Sequence, residues 1–177
     1  MINLPIESDR LVIRKFIPAD LEPYLEFMLD PDSTKYLAFE PEQKTSAGAT
    51  DLFNYVVSSY AAENPAEIIH AYAIALKQDD RYVGSCGFSP YEPPDIYECY
   101  YSINQADRHK GYAYEAMQAL IRALANTQAI NELRAYCAPA NLASIKLAQK
   151  LGMSDRGSAK HMHSGLDGVM YAIQLTN

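Results

Sequence analysis

The sequence predicts an α+β fold, a three-layer α/β/α sandwich around a mixed central sheet, and three observations lead there. Ala71–Leu76 and Tyr82–Phe88 are short apolar segments on either side of the turn Gln78-Asp-Asp80, which makes them an antiparallel hairpin. Ile96–Ile103 and Leu133–Cys137 read as strands joined through a long helix, the pattern of a strand–helix–strand unit. Helical stretches both precede the hairpin and follow it, so both faces of the sheet are covered. A regular doubly wound fold would alternate strands and helices strictly, and this order does not.

The elements follow in turn. Arg10–Phe16 is apolar and β-branched, a first strand. Asp20 is placed to cap a helix whose residues Leu21, Tyr24, Leu25, Met28 and Leu29 recur at three and four, and Pro31 stops it. A second helix over Ser46–Tyr60 sets Leu52, Tyr55, Val56 and Ser59 on one side, and Pro65 closes the loop after it. Beyond the hairpin, Pro90, Pro93 and Pro94 mark an exposed loop before Ile96–Ile103. Gly111–Ala125 is strongly amphipathic, with Tyr114, Met117, Leu120, Ile121 and Leu124 facing inward. Asn141–Leu151 is a helix ended by Gly152, and the tail forms two strands around Ser164–Gly168.

A length of 177 residues, with 49% apolar content, fits one globular domain over residues 1–177. The net charge of −7 argues against a nucleic-acid binder that works through a broad basic face. It mildly favours cationic substrates such as amines. Cys86, Cys99 and Cys137 are far apart and lie in strand-like segments, so buried thiols are expected, in a reducing compartment. No apolar stretch approaches the roughly 20 residues of a membrane span. No basic start with an apolar run reads as a leader. The expected address is the cytoplasm, with no membrane partner.

The chemistry concentrates in Tyr100–Ala116. A strand ends near Ile103, a polar loop follows, and the amphipathic helix begins at Gly111. Backbone N–H groups in such a loop, with the free N–H groups of the helix, form an anion site. Gly111 lets a phosphate come close, Ala113 keeps the next position small, and Arg108 and Lys110 bring positive charge. One glycine before a helix is a common feature, however. Other nucleotide signatures are missing: Gly152-x-x-x-x-Gly157 is followed by Ser158 and Ala159 rather than Lys and Ser/Thr. Further on, Asn141 starts a helix, where its side chain either caps the helix or meets a ligand's amide.

Together these stretches resemble the GNAT N-acetyltransferase superfamily, specifically the branch that acetylates ribosomal-protein N-termini. Arg108-His-Lys-Gly111-Tyr-Ala113 matches its pyrophosphate motif, Gln/Arg-x-x-Gly-x-Gly/Ala. Asn141, Ser144 and Lys150-Leu-Gly-Met153 match a later Asn-x-x-Ser and Lys-Leu-Gly-Phe pattern. Ser8-Asp-Arg-Leu-Val-Ile-Arg14 is similar to the branch's opening, and Ala73–Leu76 with Tyr82–Phe88 to its second and third strands.

The resemblance implies the acyl-CoA N-acyltransferase fold, a splayed sheet holding acetyl-CoA between the strands that end at Ile103 and Cys137. Backbone groups near Tyr101, Ser102 and Ile103 would pair with the pantetheine arm like an added strand. Arg108, His109, Lys110, Gly111, Tyr112, Ala113 and Tyr114 would cradle the pyrophosphate, and Asn141 and Ser144 would lie beside the pantetheine. The implied activity is direct acetyl transfer to a primary amine, either a protein N-terminus or a small molecule.

Such a reaction needs a proton taken from the amine and another given to the CoA thiolate. Many relatives use a Tyr seven residues after the motif Asn as the acid; here that position is Ala148. In the ribosomal branch the motif Ser takes that role, which makes Ser144 the candidate acid. Glu98 is the candidate base, directly or through water, although a solvent-facing strand carboxylate would look the same. A regular strand puts Glu98 on the face of Tyr100 and Ser102, and the bulge that the resemblance implies would re-aim it. His161 and His163 alternate on what reads as a strand, yet no nearby Cys or carboxylate completes a ligand set, so no metal is expected. A homodimer is left open. The missing Tyr at Ala148 keeps one rival in play, a non-catalytic acyl-CoA-binding or regulatory protein of the same fold.

Overall fold

A computed structural model of the chain describes residues 2–92 and 94–175. Its layering is legible in one strand, Ala71–Leu76, of which every residue is buried. Tyr72, Ile74 and Leu76 enter one core, while Ala71 and Ala73 enter another on the opposite face. That alternation is what a strand covered on both sides requires. The strand is the third of eight: β1 (Ile6–Glu7), β2 (Leu11–Arg14), β3 (Ala71–Leu76), β4 (Tyr82–Glu92), β5 (Ile96–Ile103), β6 (Glu132–Cys137), β7 (Ser154–Lys160) and β8 (Asp167–Gln174).

These strands form one sheet in the order β1-β2-β3-β4-β5-β6-β8-β7. Only β5 and β6 pair in parallel; the other neighbours are antiparallel. The connection between β5 and β6 is α4 (Tyr112–Thr127), which with α5 (Leu142–Lys150) covers one face of the sheet. Met117, Leu120 and Leu124 of α4 are fully buried there against Leu11, Ile13, Ile74 and Leu133. The other face carries α1 (Leu21–Leu29) and α3 (Ser46–Ser59), linked through the single turn α2 (Pro31–Thr34). The mixed three-layer architecture matches the sequence reading.

Several local expectations need correction. Asp20 does not cap α1 through its side chain. It is buried, accepts from the Ile17 N–H at 2.9 Å and receives two bonds from the Arg14 guanidinium, at 2.7 and 3.1 Å. Pro31 ends α1 and at the same time starts α2, because a proline fits the first turn of a helix, where its missing N–H costs nothing. On α3 the inward residues are Ala49, Phe53 and Val56, whereas Tyr55 is 66% exposed. The exposed loop expected at Pro90 is strand as far as Glu92, with a register shift between Pro90 and Glu92 that accommodates the proline. Pro93 lies outside the described residues. His161 and His163 sit in the turn between β7 and β8 rather than on a strand.

Candidate active site

The opening that the fold provides is set by where β5 and β6 stop pairing. Their parallel register runs only from Ile96↔Glu132 to Glu98↔Arg134. Beyond Glu98, β5 stays with β4 out to Ile103↔Gly84, and β6 stays with β8 out to Cys137↔Val169. The sheet therefore splays, and the facing edges of Cys99–Ile103 and Ala135–Cys137 are free to pair with an extended ligand. Tyr101, Ser102 and Ile103 all lie on this edge.

The loop after β5 is held from below. Asn104 is buried and donates to the Pro23 carbonyl at 2.8 Å. Asp107, also buried, accepts two bonds from Arg81 at 2.8 and 3.0 Å and one from Lys110 at 2.8 Å. Those cations hold its carboxyl below the usual carboxylate range, the Arg81 hydrogen bonds first among the causes. Arg108 donates to the Ile103 carbonyl at 3.2 Å and to Ser33 Oγ at 2.6 Å. The charges of Arg108 and Lys110 are thus tied into the loop itself.

Above that support the backbone turns twice through the left-handed region, at His109 (φ 62°) and Gly111 (φ 83°). Gly111 is the N-cap of α4. The N–H groups of Tyr112, Ala113 and Tyr114 in the first turn have no carbonyl within the helix to bond. A Cβ at Gly111 would meet only Arg10 Nη2, at 3.4 Å, so the space over the helix end is open. Arg10 stands beside it, bonded through Nε to Glu115 at 2.7 Å and lying 4.8 Å from the Tyr112 ring centre. Sequence reasoning gave Arg10 no site role; the signal lay in its pairing with Glu115 of α4, which only the fold reveals. The donor set suits an anion such as a diphosphate.

Across the opening, Asn141 caps α5, its Oδ1 accepting from the Ser144 N–H at 3.3 Å. The capping reading of Asn141 is the one the structure displays, and its Nδ2 is left pointing to no bonded partner among the described residues. Ser144 sits in the first turn of α5, half-buried, and its carbonyl accepts from the Tyr101 hydroxyl at 3.2 Å. Burial pushes the Tyr101 phenol up, so it stays protonated at neutral pH. Ala148 is fully buried in the core.

On the other face of β5, the register with β4 is unbroken from Tyr97 to Ile103, so the bulge expected on β5 is absent and Glu98, Tyr100 and Ser102 share one side. Gly87 opposite Tyr100 is what lets that ring lie down: a Cβ there would stand 2.5 Å from the Tyr100 hydroxyl and 2.2 Å from the His70 carbonyl. This side lines a cavity of about 470 Å³ between the sheet, α1, α3 and the β7–β8 turn.

Glu98 does not stand alone in it. His161 Nε2 lies 2.7 Å from Glu98 Oε2, and Ser89 Oγ donates to Oε1 at 3.3 Å. His161 Nδ1 accepts from the Ser164 N–H at 3.0 Å, with Ser164 Oγ at 2.9 Å. An Nδ1 that accepts leaves the ring proton on Nε2, directed at the carboxylate. Tyr91 and Tyr136 pack against the imidazole at 5.2 and 4.8 Å between ring centres. The sequence reading missed this pair because 63 residues separate its members. The three cysteines are free and buried. Burial pushes Cys99 up to about 12 and Cys137 up to about 11, so neither thiol beside the opening is a thiolate at neutral pH.

The splayed mixed sheet, the left-handed loop at the start of α4 and the cavity beside the splay define an acyl-CoA N-acyltransferase fold. The sequence agrees: the model of the acetyltransferase (GNAT) domain matches residues 10–154, and the chain belongs to that family. It is 28% identical over 151 residues to a Bacillus licheniformis protein named "uncharacterized N-acetyltransferase p20", covering 85% of this chain and 82% of that one. It is 36% identical over 80 residues to the ribosomal protein uS5-alanine N-acetyltransferase of Escherichia coli, 44% of this chain and 41% of that enzyme. The crystal structure of a GNAT-family acetyltransferase from Bacillus anthracis aligns with a TM-score of 0.80 at 26% identity, over 97% of this chain and 99% of that one. Among the described residues no helix is long and apolar enough to cross a membrane, and no group of His, Cys, Asp and Glu is arranged to hold a metal ion.

Proposed function

We propose that the protein transfers an acetyl group from acetyl-CoA to a primary amine by direct attack. The observation that carries this reading is the opening beyond Glu98↔Arg134, with anion donors at one end and a carboxylate–imidazole pair at the other. The pantetheine arm lies along the free edge of Tyr101–Ile103, with Asn141 Nδ2 and Ser144 across from it. The diphosphate rests on the N–H groups from His109 to Tyr114, near Arg10. Arg108 and Lys110 act here by fixing the loop.

The amine enters from the cavity. Glu98 takes the ammonium's proton and frees the nitrogen's lone pair, with His161 keeping the carboxylate aimed through the Nε2–H bond; the nitrogen then attacks the thioester carbonyl and sheds its next proton to water. A free N–H on the β5 edge receives the developing oxyanion. When the C–S bond breaks, the Ser144 hydroxyl gives a proton to the departing thiolate and recovers one from solvent; the products are an N-substituted acetamide and free CoA. Protonated, buried Cys99 and Cys137 leave no thiolate to form an acyl-enzyme, which favours direct transfer. Three buried cysteines, an odd number without a Cys-x-x-Cys pair, suit a reducing, cytoplasmic setting. The test is release of free thiol from acetyl-CoA across a panel of amines. Tight CoA binding without thiol release from any of them would make the protein a binder rather than a transferase.

A further inference from the structure

The cavity beside Glu98 limits what it will hold. At about 470 Å³ it is in the range that encloses a small organic molecule. Phe16, Phe27, Phe39, Leu52, Phe53 and Tyr100 give its wall an aromatic and apolar character. No Lys or Arg stands among the described lining residues, while the half-buried Glu98 carboxylate does; Asp167, the other carboxylate of the lining, is exposed and lies 3.9 Å from Lys160. Such a field favours one positive charge close to β5 and repels anions.

Several polar groups of the wall already have partners. Ser85 Oγ and Ser102 Oγ bond each other at 2.9 Å. The Tyr36 hydroxyl donates to the Ala140 carbonyl at 3.3 Å, and Glu98, His161 and Ser164 bond one another. A ligand rich in hydroxyls or amides would lose its water against the aromatic walls and find few replacements beyond the Tyr24 and Tyr100 hydroxyls, and each unpaired group costs affinity. An apolar body loses nothing there. At the mouth, Tyr36, Tyr100 and Leu166 leave 38%, 41% and 54% of their surface open, an apolar rim that a ligand would cover.

Resting on the transferase reading above, we infer that the acceptor is a primary amine carried on a compact apolar body about the size of a phenylalkyl group. The ammonium sits at Glu98, and the body fills the space between α1, α3 and β5. Polyamines, amino sugars and peptide N-termini, with charges or amides spread along them, are poor occupants of the same space.

Two measurements decide this. Thiol release is followed with 2-phenylethylamine, ethanolamine, spermidine, kanamycin and an alanine-initiated tetrapeptide, all at one pH. Burying the ring should raise kcat/KM for 2-phenylethylamine roughly 10- to 100-fold above that for ethanolamine. Spermidine, kanamycin and the peptide should fall below 2-phenylethylamine. Turnover of a polar amine or the peptide ahead of 2-phenylethylamine would overturn the inference and leave the transferase reading standing. Thiol release from no amine would sink the transferase reading instead. Calorimetry on the CoA-loaded protein then judges the cavity by itself: 2-phenylethylamine binding no tighter than ethanolamine overturns the inference. Leu52→Gln, a half-buried helix position that a glutamine fits, should narrow the preference several-fold in a protein of unchanged melting temperature.

Discussion

His161 Nε2 stands 2.7 Å from Glu98 Oε2, which ties the turn between β7 and β8 to the strand just before the sheet splays. With Ser164 holding the far nitrogen at 3.0 Å, the imidazole is fixed in one tautomer and the carboxylate in one rotamer. The pair links an element from the end of the chain to the parallel crossover at its middle, and it does so at the boundary of the cavity.

If Glu98 is the base and His161 its orienter, the two act as a unit. Glu98→Gln should lower kcat roughly 100- to 10,000-fold, the usual span for a general base, with CoA affinity little changed. His161→Gln should cost less, about 10-fold, because the carboxylate remains but is less well aimed. The double variant should be no slower than Glu98→Gln alone, since members of one unit are not additive. Multiplying effects in the double variant would separate the two residues and assign His161 a task of its own.

The reach of the sequence ended at contacts between distant residues. The layers, the hairpin and the crossover were legible because each is written in local periodicity. The loop from Arg108 to Ala113 was legible because Arg108, Gly111 and Ala113 fall at the spacing of a family motif, not from the single glycine at a helix start. Asp20 was misread as a cap since nothing local shows that Arg14, six residues back on a strand, turns toward it. Arg108 was expected at the anion site from its charge and its place in the pyrophosphate motif; its contact with Ser33 of α2, 2.6 Å from the guanidinium, joins residues 75 apart and is not legible in the sequence. His161 read as strand because nothing local marks where β7 stops, and the turn that the Gly165 N–H closes on the His161 carbonyl starts earlier than the Ser164–Gly168 segment suggested.

Ser144 and Tyr101 meet across the opening, and substitutions there test the acid. Ser144→Ala should lower kcat about 10- to 1000-fold with a smaller effect on CoA affinity. Tyr101→Phe removes the bond to the Ser144 carbonyl while the first turn of α5 keeps its Asn141 cap. It should weaken kcat only a few-fold. A larger loss in Tyr101→Phe than in Ser144→Ala, measured by steady-state thiol release, would move the proton donor to the phenol.

Gly111 tests the anion site. At φ 83° any side chain is strained, at about 1–3 kcal/mol. Gly111→Ala should therefore weaken CoA several-fold through backbone strain alone. Gly111→Asp adds a carboxylate where the diphosphate is proposed to rest, and should weaken CoA at least 10-fold beyond the alanine variant. Calorimetry on folded protein reads both. Equal affinities in the two variants would remove the phosphates from this end of α4.

Asp107 tests how far the loop's support matters. Its carboxyl is buried, bonded to Arg81 and Lys110, and held below the ordinary carboxylate range by them. A carboxyl lowered in the folded state lends stability above its unfolded pKa and loses it as pH falls through the lower, folded value. Asp107→Asn removes the charge and turns an N–H₂ toward a cation. Because the Arg81 side chain is half exposed, the loss at neutral pH should be about 1–2 kcal/mol, or roughly 3–6 °C in melting temperature for a chain of this length. The gap between wild type and variant should hold from pH 8 to about 5 and close below about 4, as the wild-type carboxyl takes up its proton. CoA binding should weaken in parallel at neutral pH, since the backbone of His109–Gly111 is anchored through this carboxylate. Thermal melts across that pH range, with CoA titrations at pH 7, check both parts. A gap that stays constant down to pH 3 would mean that Asp107 stabilises the loop by its shape and not by its charge.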